Sequence, residues 1–392
     1  MKKTLFIILC SEYPPNMYGG IAQWAENLYT TLTENGYDVQ VLTHLSKKHK
    51  NANIHSTKNI RYINGHDWKK LHWLYRLPFL LKSFLTRKNI ILVPATWDEL
   101  QVIYKLKTVF KFKIYCSSHG TDITKHVFPR KEKTIRKINQ ILSSVDLLMP
   151  VSQSLDRLAR SMFPNISCPS IVLGCNVNTA IFCPVPDQST KNELRKRFGI
   201  NEQCHLIMTI GRMMAVKGFR QIIMALPDVR KTFPDICYMI VAQPDEPEKM
   251  LIEHLVKELH LEKNVIIQPP ISNKDLPQLL QTADLFVLTS EPVYYPHYQE
   301  EGLPRVIPEA SACGLPVIVS TTGGLAEAVV NNETGVVVPH GDQFTLKKSI
   351  ISILTNRKKA EEMGLKGRTH IIKNYSVQIM TEKILTIAHT AE

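Results

Sequence analysis

The sequence predicts an α/β protein with two Rossmann-like, doubly wound domains. Three observations carry that expectation. Short apolar runs alternate with stretches whose apolar residues recur at helical spacing, a Pro- and Asn-containing break interrupts them near mid-chain, and the alternation then restarts. Runs that are apolar on both faces suit strands of a parallel sheet covered on each side by crossover helices. At roughly 100 to 200 residues per domain, 392 residues accommodate two or three domains with full cores. A small disulfide-stapled framework is excluded, and 44% hydrophobic against 21% charged residues leaves no room for a long disordered tract.

Leu5 to Cys10 reads as the first strand and Tyr13 to Gly20 as a Pro/Gly loop. Ile21, Trp24, Ala25, Leu28 and Leu32 then mark a helix that Gly36 stops. Further strands are expected at Val39 to Thr43, Ile90 to Val93, Ile114 to Cys116, Asp146 to Val151 and Ile171 to Leu173. Gly174 to Ser189 reads as a linker. Beyond it, strands are expected at His205 to Ile210, Tyr238 to Ala242, Val265 to Ile267, Leu285 to Leu288, Pro316 to Val319 and Gly335 to Val338, and the tail from Leu346 is helical. The resulting division is a first Rossmann-like domain over residues 1–175, a linker over 176–190 and a second Rossmann-like domain over 191–375, with a terminal helix, 376–392, packing back on the first. Ligands of open α/β sheets bind at the carboxyl ends of the strands, so two such domains facing across a cleft place the default active site there.

The start of the chain imitates a lipoprotein signal, with Lys2, Lys3 and an apolar run ending at Cys10. A run this short, with bulky Leu9 before the cysteine, reads instead as a buried first strand. No uncharged apolar stretch reaches 18 residues, so no membrane span is expected. The eight cysteines lack C-x-x-C spacing and several lie in apolar runs, which suits core residues in a reducing, cytoplasmic compartment.

Charge is the unusual property. The balance is 48 Lys+Arg against 35 Asp+Glu, and residues 1–175 hold 25 and 11 of these, a net of +14, so the remainder is close to neutral. The surplus gathers in Trp68 to Lys88, Lys105 to Lys113 and Lys125 to Lys137. It calls for an anionic partner or, more plainly, makes a solvated basic surface. No stacking platform or recognition-helix motif is visible, so nucleic acid is not the expected partner. The stretch from Trp68 to Leu85 mixes aromatics, leucines and cations as interfacial helices do, with Pro78 expected to kink or divide it. Contact with the inner face of an anionic membrane is one reading, and an ordinary core helix with a basic outer face is the other.

Chemistry-bearing residues cluster at strand ends. Gly19 and Gly20 open the first helix and let backbone N–H groups approach an anion, or they form a tight turn. Gly211-Arg212 and Lys217-Gly218 place two cations five residues apart between a strand and a helix, a pairing suited to a diphosphate. In Glu301-Gly302-Leu303-Pro304-Arg305-Val306-Ile307-Pro308-Glu309, a helix beginning near Arg305 to Ile307 puts Pro308 in its first turn. Glu301 then lies in the preceding loop and Glu309 in the helix, two carboxylates for sugar and ribose hydroxyls. Amides from Gly302 to Arg305 are expected to face ligand oxygens.

These motifs, with His119-Gly120-Thr121-Asp122, Gly323-Gly324...Glu327 and Glu333-Thr334-Gly335...Pro339-His340-Gly341-Asp342, together resemble family 4 retaining glycosyltransferases of the GT-B fold. The resemblance covers almost the whole chain, motif by motif in the family's order. It implies that Arg212 and Lys217 neutralise the diphosphate of a nucleotide sugar, Glu309 binds its ribose, and Glu301 binds a hydroxyl of the transferred sugar. The backbone at Gly211, Gly302, Leu303 and Pro304 would approach the donor, Gly19 and Gly20 its phosphate, and His119 the sugar at the reaction centre. Asp122 would support His119 or meet the acceptor. No cofactor is implied, and the absence of a D-x-D triplet accords with a metal-independent site. Pro304-Arg305 departs from the family's commonest pattern, and the segment between Ser290 and Glu301 is longer than in many relatives. Its Tyr294, Tyr295, His297 and Tyr298 would stack on a sugar or lipid head group or pack as an ordered loop. The Gly19-Gly20-Ile21 loop and this lengthened segment resemble lipid mannosyltransferases, which favours GDP-mannose over UDP-hexoses as donor and a lipid-linked or envelope glycan as acceptor. The rival classes are a nucleotide-sugar epimerase of the same architecture and a non-catalytic sugar-binding protein.

Overall fold

The computed structural model describes residues 4–15, 19–45, 56–63, 72–87 and 89–389, with the side chains of residues 72 and 73 outside the description. Two compact units emerge, one formed by Met1–Cys175 with Met380–Glu392, the other by Asn176–Ile379.

In the first unit the chain runs β1 (Thr4–Leu9), α1 (Gly20–Glu34), β2 (Asp38–His44), β3 (Ile60–Ile63), α2 (His72–Thr86), β4 (Asn89–Pro94), β5 (Lys113–Ser118), α3 (Thr121–Thr124), α4 (Glu132–Leu142), β6 (Leu147–Pro150) and α5 (Gln153–Met162). The six strands form one parallel sheet in the order β3-β2-β1-β4-β5-β6. Every residue of β1 is buried, as its unbroken apolar run requires, and Cys10 just beyond it belongs to the core, its thiol pushed up to about 12 chiefly by burial. The chain reverses its direction of strand addition between β1 and β4, so the crevice outside their carboxyl ends is the natural ligand position.

The second unit runs α6 (Gln188–Arg197), β7 (His205–Arg212), α7 (Phe219–Thr232), β8 (Ile236–Gln243), α8 (Glu246–Glu258), β9 (Val265–Gln268), α9 (Leu276–Leu280), β10 (Leu285–Leu288), α10 (Val306–Ala312), β11 (Val317–Ser320), β12 (Val336–Val338), α11 (Gln343–Thr355), α12 (Arg357–Tyr375) and α13 (Val377–His389). Its parallel sheet has the order β12-β11-β10-β7-β8-β9, with the switch between β7 and β10. From Met380 onward α13 belongs to the first unit, where Met380, Ile384, Ile387 and Ala388 join the cluster around Phe6, Trp24 and Leu28.

Four expectations need correction. Ile171 to Leu173 is not a ladder strand. Its N–H groups reach Leu148 and Pro150 carbonyls at 3.0 and 3.1 Å, but Pro150 has no N–H to return, so the pairing stays incomplete. The edge strand β3 was not expected, because four residues interrupted by Arg61 give little periodic signal. The segment read as a linker ends at Asp187, whose carboxylate accepts the Thr190 N–H at 2.7 Å and caps α6. Finally, Pro78 does not divide its helix. It sits on the exposed side of α2, where the carbonyl left unpaired one turn earlier is best solvated.

The cationic stretch around α2 also resolves in part. Trp68 to Leu71 and Lys88 lie outside the described residues, as do Asn16 to Tyr18 of the first loop. Arg76 is not a surface cation: it is 1% exposed, bound to the Glu99 carboxylate, 2.8 Å from His44 Nε2 and 3.1 Å from the Cys10 carbonyl. Leu80 and Phe84 face the core, while Leu74, Tyr75, Pro78, Lys82 and Leu85 face outward. That outer face is therefore more apolar than basic. Among the described residues no helix is long and apolar enough to cross a membrane.

At the amino ends of β7 and β10, Asp284 binds Lys191 at 2.6 Å and Arg195 at 2.7 Å and accepts the Leu206 N–H at 2.7 Å. Burial opposes its ionisation, but the two cations prevail and hold the carboxyl below its usual range. Removing one partner of a buried pair leaves uncompensated charge, at about 3 to 5 kcal/mol. Asp284→Ala should therefore lower the unfolding free energy measured by urea titration by up to an amount of that order, and a variant as stable as the parent would contradict this brace.

Candidate functional site

In the second unit, two loops meet at the switch point. After β7 the chain turns through Met213 and Met214, makes a 3-10 turn at Ala215–Lys217 and reaches Gly218, whose φ of 68° is left-handed. A Cβ there would lie 1.9 Å from the Thr289 carbonyl oxygen just beyond β10, so only glycine allows the two strand ends to close together. Gly211 is needed for a different reason. Its missing side chain leaves room for Lys217, whose Cε would lie 3.1 Å from an added Cβ.

Lys217 Nζ lies 2.9 Å from Glu301 Oε1, with only 11% and 17% of the two side chains exposed. The lysine thus carries its counter-charge within the site. Arg212 is exposed at the end of β7 and has no ion-pair partner among the described residues. One compensated and one open cation stand together at a strand's carboxyl edge.

Glu301 is fixed through its backbone. A Cβ on Gly323, at φ 57°, would sit 2.0 Å from the Glu301 carbonyl oxygen, and the Gly324 N–H donates to that same oxygen at 3.2 Å. The Gly323-Gly324 pair is therefore a clamp on the loop that carries Glu301. The helix α10 follows with Pro308 in its first turn, and Gly302, Leu303 and Pro304 are buried before it. Pro304 has no amide hydrogen, so the turn offers the N–H groups of Gly302, Leu303 and Arg305 rather than an unbroken set. Glu309 is buried within α10, and Arg305 Nη2 donates to its Oε1 at 3.3 Å. Burial pushes the Glu309 pKa up while Arg305 pulls against it. Arg305 is held in turn by Asn176 Oδ1 at 3.0 Å. Sequence reasoning missed Asn176 entirely, because it stands in the segment read as a linker.

The lengthened segment before Glu301 is a small hairpin, closed by reciprocal Val293 and Gln299 backbone bonds of 3.0 and 2.7 Å. Tyr298 packs on Tyr294 with ring centroids 5.2 Å apart and donates to Glu300 at 2.7 Å. His297 is half-buried, whereas Tyr294 and Tyr295 are 61% and 85% exposed. The hairpin is ordered by its own contacts and presents two tyrosines outward.

In the first unit, α1 begins at Gly20 with no side-chain cap and no acidic residue in its first turn. No side chain caps this end, but the Glu12 carboxylate stands close to Gly19. No atom lies within 4 Å of a Cβ built on Gly20, so the fold itself does not demand glycine there. A Cβ on Gly19 would meet Glu12 at 3.0 Å. His119 follows β5, edge-on to Trp24 with centroids 5.1 Å apart, its Nε2 3.2 Å from Ser117 Oγ. Ser117 spends its proton on the Met149 carbonyl at 3.0 Å, so Nε2–H must donate to Ser117, and Nδ1 of the neutral ring is left as an acceptor. Burial pushes the His119 pKa down to about 4. Asp122 faces inward, accepting the His119 and Gly120 N–H groups at 3.0 and 2.9 Å. It shapes the loop that presents His119.

A cavity of about 600 Å³ in the second unit lies at the opposite, amino-terminal edge of its sheet, lined by Lys191, Arg195, Asp284 and Pro316. Asp284 already binds both of those cations, so this cavity offers an anion little. No cluster of three metal-ligating side chains occurs among the described residues.

Residues 190–370 match the family described as glycosyl transferases group 1. A GDP-mannose-dependent α-(1-6)-phosphatidylinositol monomannoside mannosyltransferase of Mycolicibacterium smegmatis is 28% identical over 67% of this chain and 66% of its own. Residues 190–370, a little under half of the chain, thus resemble the group 1 glycosyltransferases. A related GDP-mannose-dependent mannosyltransferase of Corynebacterium glutamicum is 29% identical over 70% of this chain and 69% of its own, so the match spans about two thirds of these relatives. An uncharacterised glycosyltransferase of Methanocaldococcus jannaschii is 26% identical over 93% of both chains. Sucrose-phosphate synthase of Thermosynechococcus elongatus shares the fold, with a TM-score of 0.81 and 20% identity over 99% of this chain and 98% of that one. The two Rossmann-like sheets are those of the GT-B architecture.

The half-buried His119 should remain neutral through the physiological range. Its folded pKa lies below the ordinary value of about 6.5, so protonation on acidification favours the unfolded chain between the two values. Imidazole ¹⁵N shifts should show an Nε2-protonated ring that does not titrate from pH 8 to about 5.5. A midpoint near 6.5 would contradict the assignment.

Proposed function

We propose that the protein is a retaining mannosyltransferase that moves mannose from GDP-mannose to a lipid-linked or envelope glycan acceptor at the cytoplasmic face of a membrane. The observation that carries this reading is the group of Arg212, Lys217 and Glu301 at the switch point of the second unit, next to the close-approach position at Gly211. The mannosyltransferase relatives support the choice of sugar and nucleotide.

In this reading the diphosphate lies along Arg212 and Lys217. When the bond between the anomeric carbon and the β-phosphate oxygen breaks, negative charge builds on the departing nucleotide. The two cations stabilise that charge without a divalent ion. Lys217 turns from Glu301 toward phosphate, which releases Glu301 to accept a hydroxyl of the transferred sugar. Glu309 accepts from the ribose. In the first unit, the Nδ1 lone pair of His119 suits a sugar hydroxyl. The acceptor oxygen attacks the anomeric carbon from the side the nucleotide leaves, and its proton passes to the departing phosphate oxygen. The anomeric configuration is thereby kept.

The first unit supplies the acceptor side. Its surplus charge and the outward Leu74, Tyr75 and Leu85 of α2 support docking at an anionic leaflet, where each nearby cation contributes about 1 kcal/mol. The test is one transfer assay with labelled GDP-mannose and UDP-hexoses on vesicles containing phosphatidylinositol glycolipid. Label should enter the lipid from GDP-mannose, and Lys217→Ala should cut turnover by about 10² to 10³. Transfer from UDP-hexose alone would overturn the donor, and free rearranged sugar without acceptor would replace transfer by epimerisation.

A further inference from the structure

Arg305 stands where the family's commonest pattern has an aliphatic residue, and the geometry gives it work. Glu309 is 6% exposed, and a carboxylate at that depth needs a compensating charge. Among the described residues Arg305 is the only charged group that bears on it directly. From α12, the neighbouring cation Arg368 is committed to the carbonyls of Ala312, Phe182 and Thr179. Cys313, one turn along α10, stays protonated because it is buried.

Arg305 does not reach Glu309 as a free side chain. One guanidinium nitrogen, Nη1, is tied to Asn176 Oδ1 at 3.0 Å, and the other, Nη2, donates to Glu309 Oε1 at 3.3 Å. Asn176 is itself 4% exposed, and the next residue, Val177, is bonded to the Tyr375 carbonyl at 2.8 Å, so the anchor is fixed by backbone pairing. A planar, always-charged fork held at one end delivers a fixed direction at the other, which a lysine or an aliphatic residue does not.

We propose that Arg305 is a positioning residue for the donor's ribose: anchored by Asn176, it keeps the buried Glu309 ionised and oriented to accept both ribose hydroxyls. The proposal rests on the reading that the second unit holds a nucleotide-sugar donor. It also gives the departure at residue 305 a role, because the arginine strengthens ribose binding through Glu309 rather than touching the diphosphate.

The test is calorimetric binding of GDP and UDP to the full chain, for the parent, Arg305→Met and Arg305→Lys, from pH 6 to 8.5. The 2′,3′-dideoxy form of whichever nucleotide the parent binds serves as the second probe. Arg305→Met should weaken binding about tenfold at pH 7. Without Arg305, burial alone acts on Glu309 and favours its protonated form. The variant's affinity should therefore fall as pH is lowered, while the parent's stays level. Arg305→Lys, which restores the charge, should recover the parent's pH profile. The dideoxy nucleotide should bind parent and Arg305→Met alike. Equal losses for both nucleotides would assign Arg305 to the diphosphate or to folding and overturn the proposal, as would an unchanged affinity in Arg305→Met. A parent that binds neither GDP nor UDP would overturn the donor reading itself.

Discussion

The ion pair between Lys217 and Glu301 is the interaction on which the second unit's site depends. It joins the loop after β7 to the loop after β10, the two strands between which the sheet reverses its order. Each half is immobilised by a glycine that has no alternative: Gly218 lets the first loop meet Thr289, and Gly323 lets the second lie against its neighbour. The pair therefore sits at the end of two rigid supports. Desolvating either charge alone would cost several kcal/mol, so the site stays folded by keeping its lysine compensated until an anion takes the carboxylate's place.

The same economy recurs one turn further on. Glu309 and Arg305 form a second carboxylate–cation pair, with a more deeply buried carboxylate and a cation anchored by Asn176. Arg212 is exposed and has no ion-pair partner among the described residues. In the proposed reading, a diphosphate would meet one open cation at once and gain the second by exchange, which would tie anion binding to the release of Glu301. In the first unit the preparation is of another kind. The helix α1 has an uncapped N-terminus, and His119 is held neutral with one ring nitrogen already committed, so hydrogen-bonding capacity rather than charge is on offer.

Much of this was legible in the sequence because it is local. Strands buried on both faces print themselves as apolar runs, and the Gly211-Arg212, Lys217-Gly218 and Glu301 to Glu309 spacings fix which side chains share a strand end. What was not legible is long-range or negative. Arg305 meets Asn176 across 129 residues, and nothing in a linker-like stretch announces a buried anchor. Arg76 belongs to a basic run, yet Glu99, His44 and the Cys10 carbonyl converge on it from three other elements and draw it into the core. The strand expected at Ile171 to Leu173 failed for want of a single N–H at Pro150, a loss that hydrophobic patterning does not register.

The most direct test of the account is a crystal structure of the full chain with GDP or UDP bound. The account predicts the diphosphate between Arg212 and Lys217 at the carboxyl ends of β7 and β10, with Lys217 shared between phosphate and Glu301 or released from it. A nucleotide seated instead in the cavity at the opposite edge of the sheet, beside Lys191 and Arg195, with the loop from Gly211 to Gly218 untouched, would contradict it.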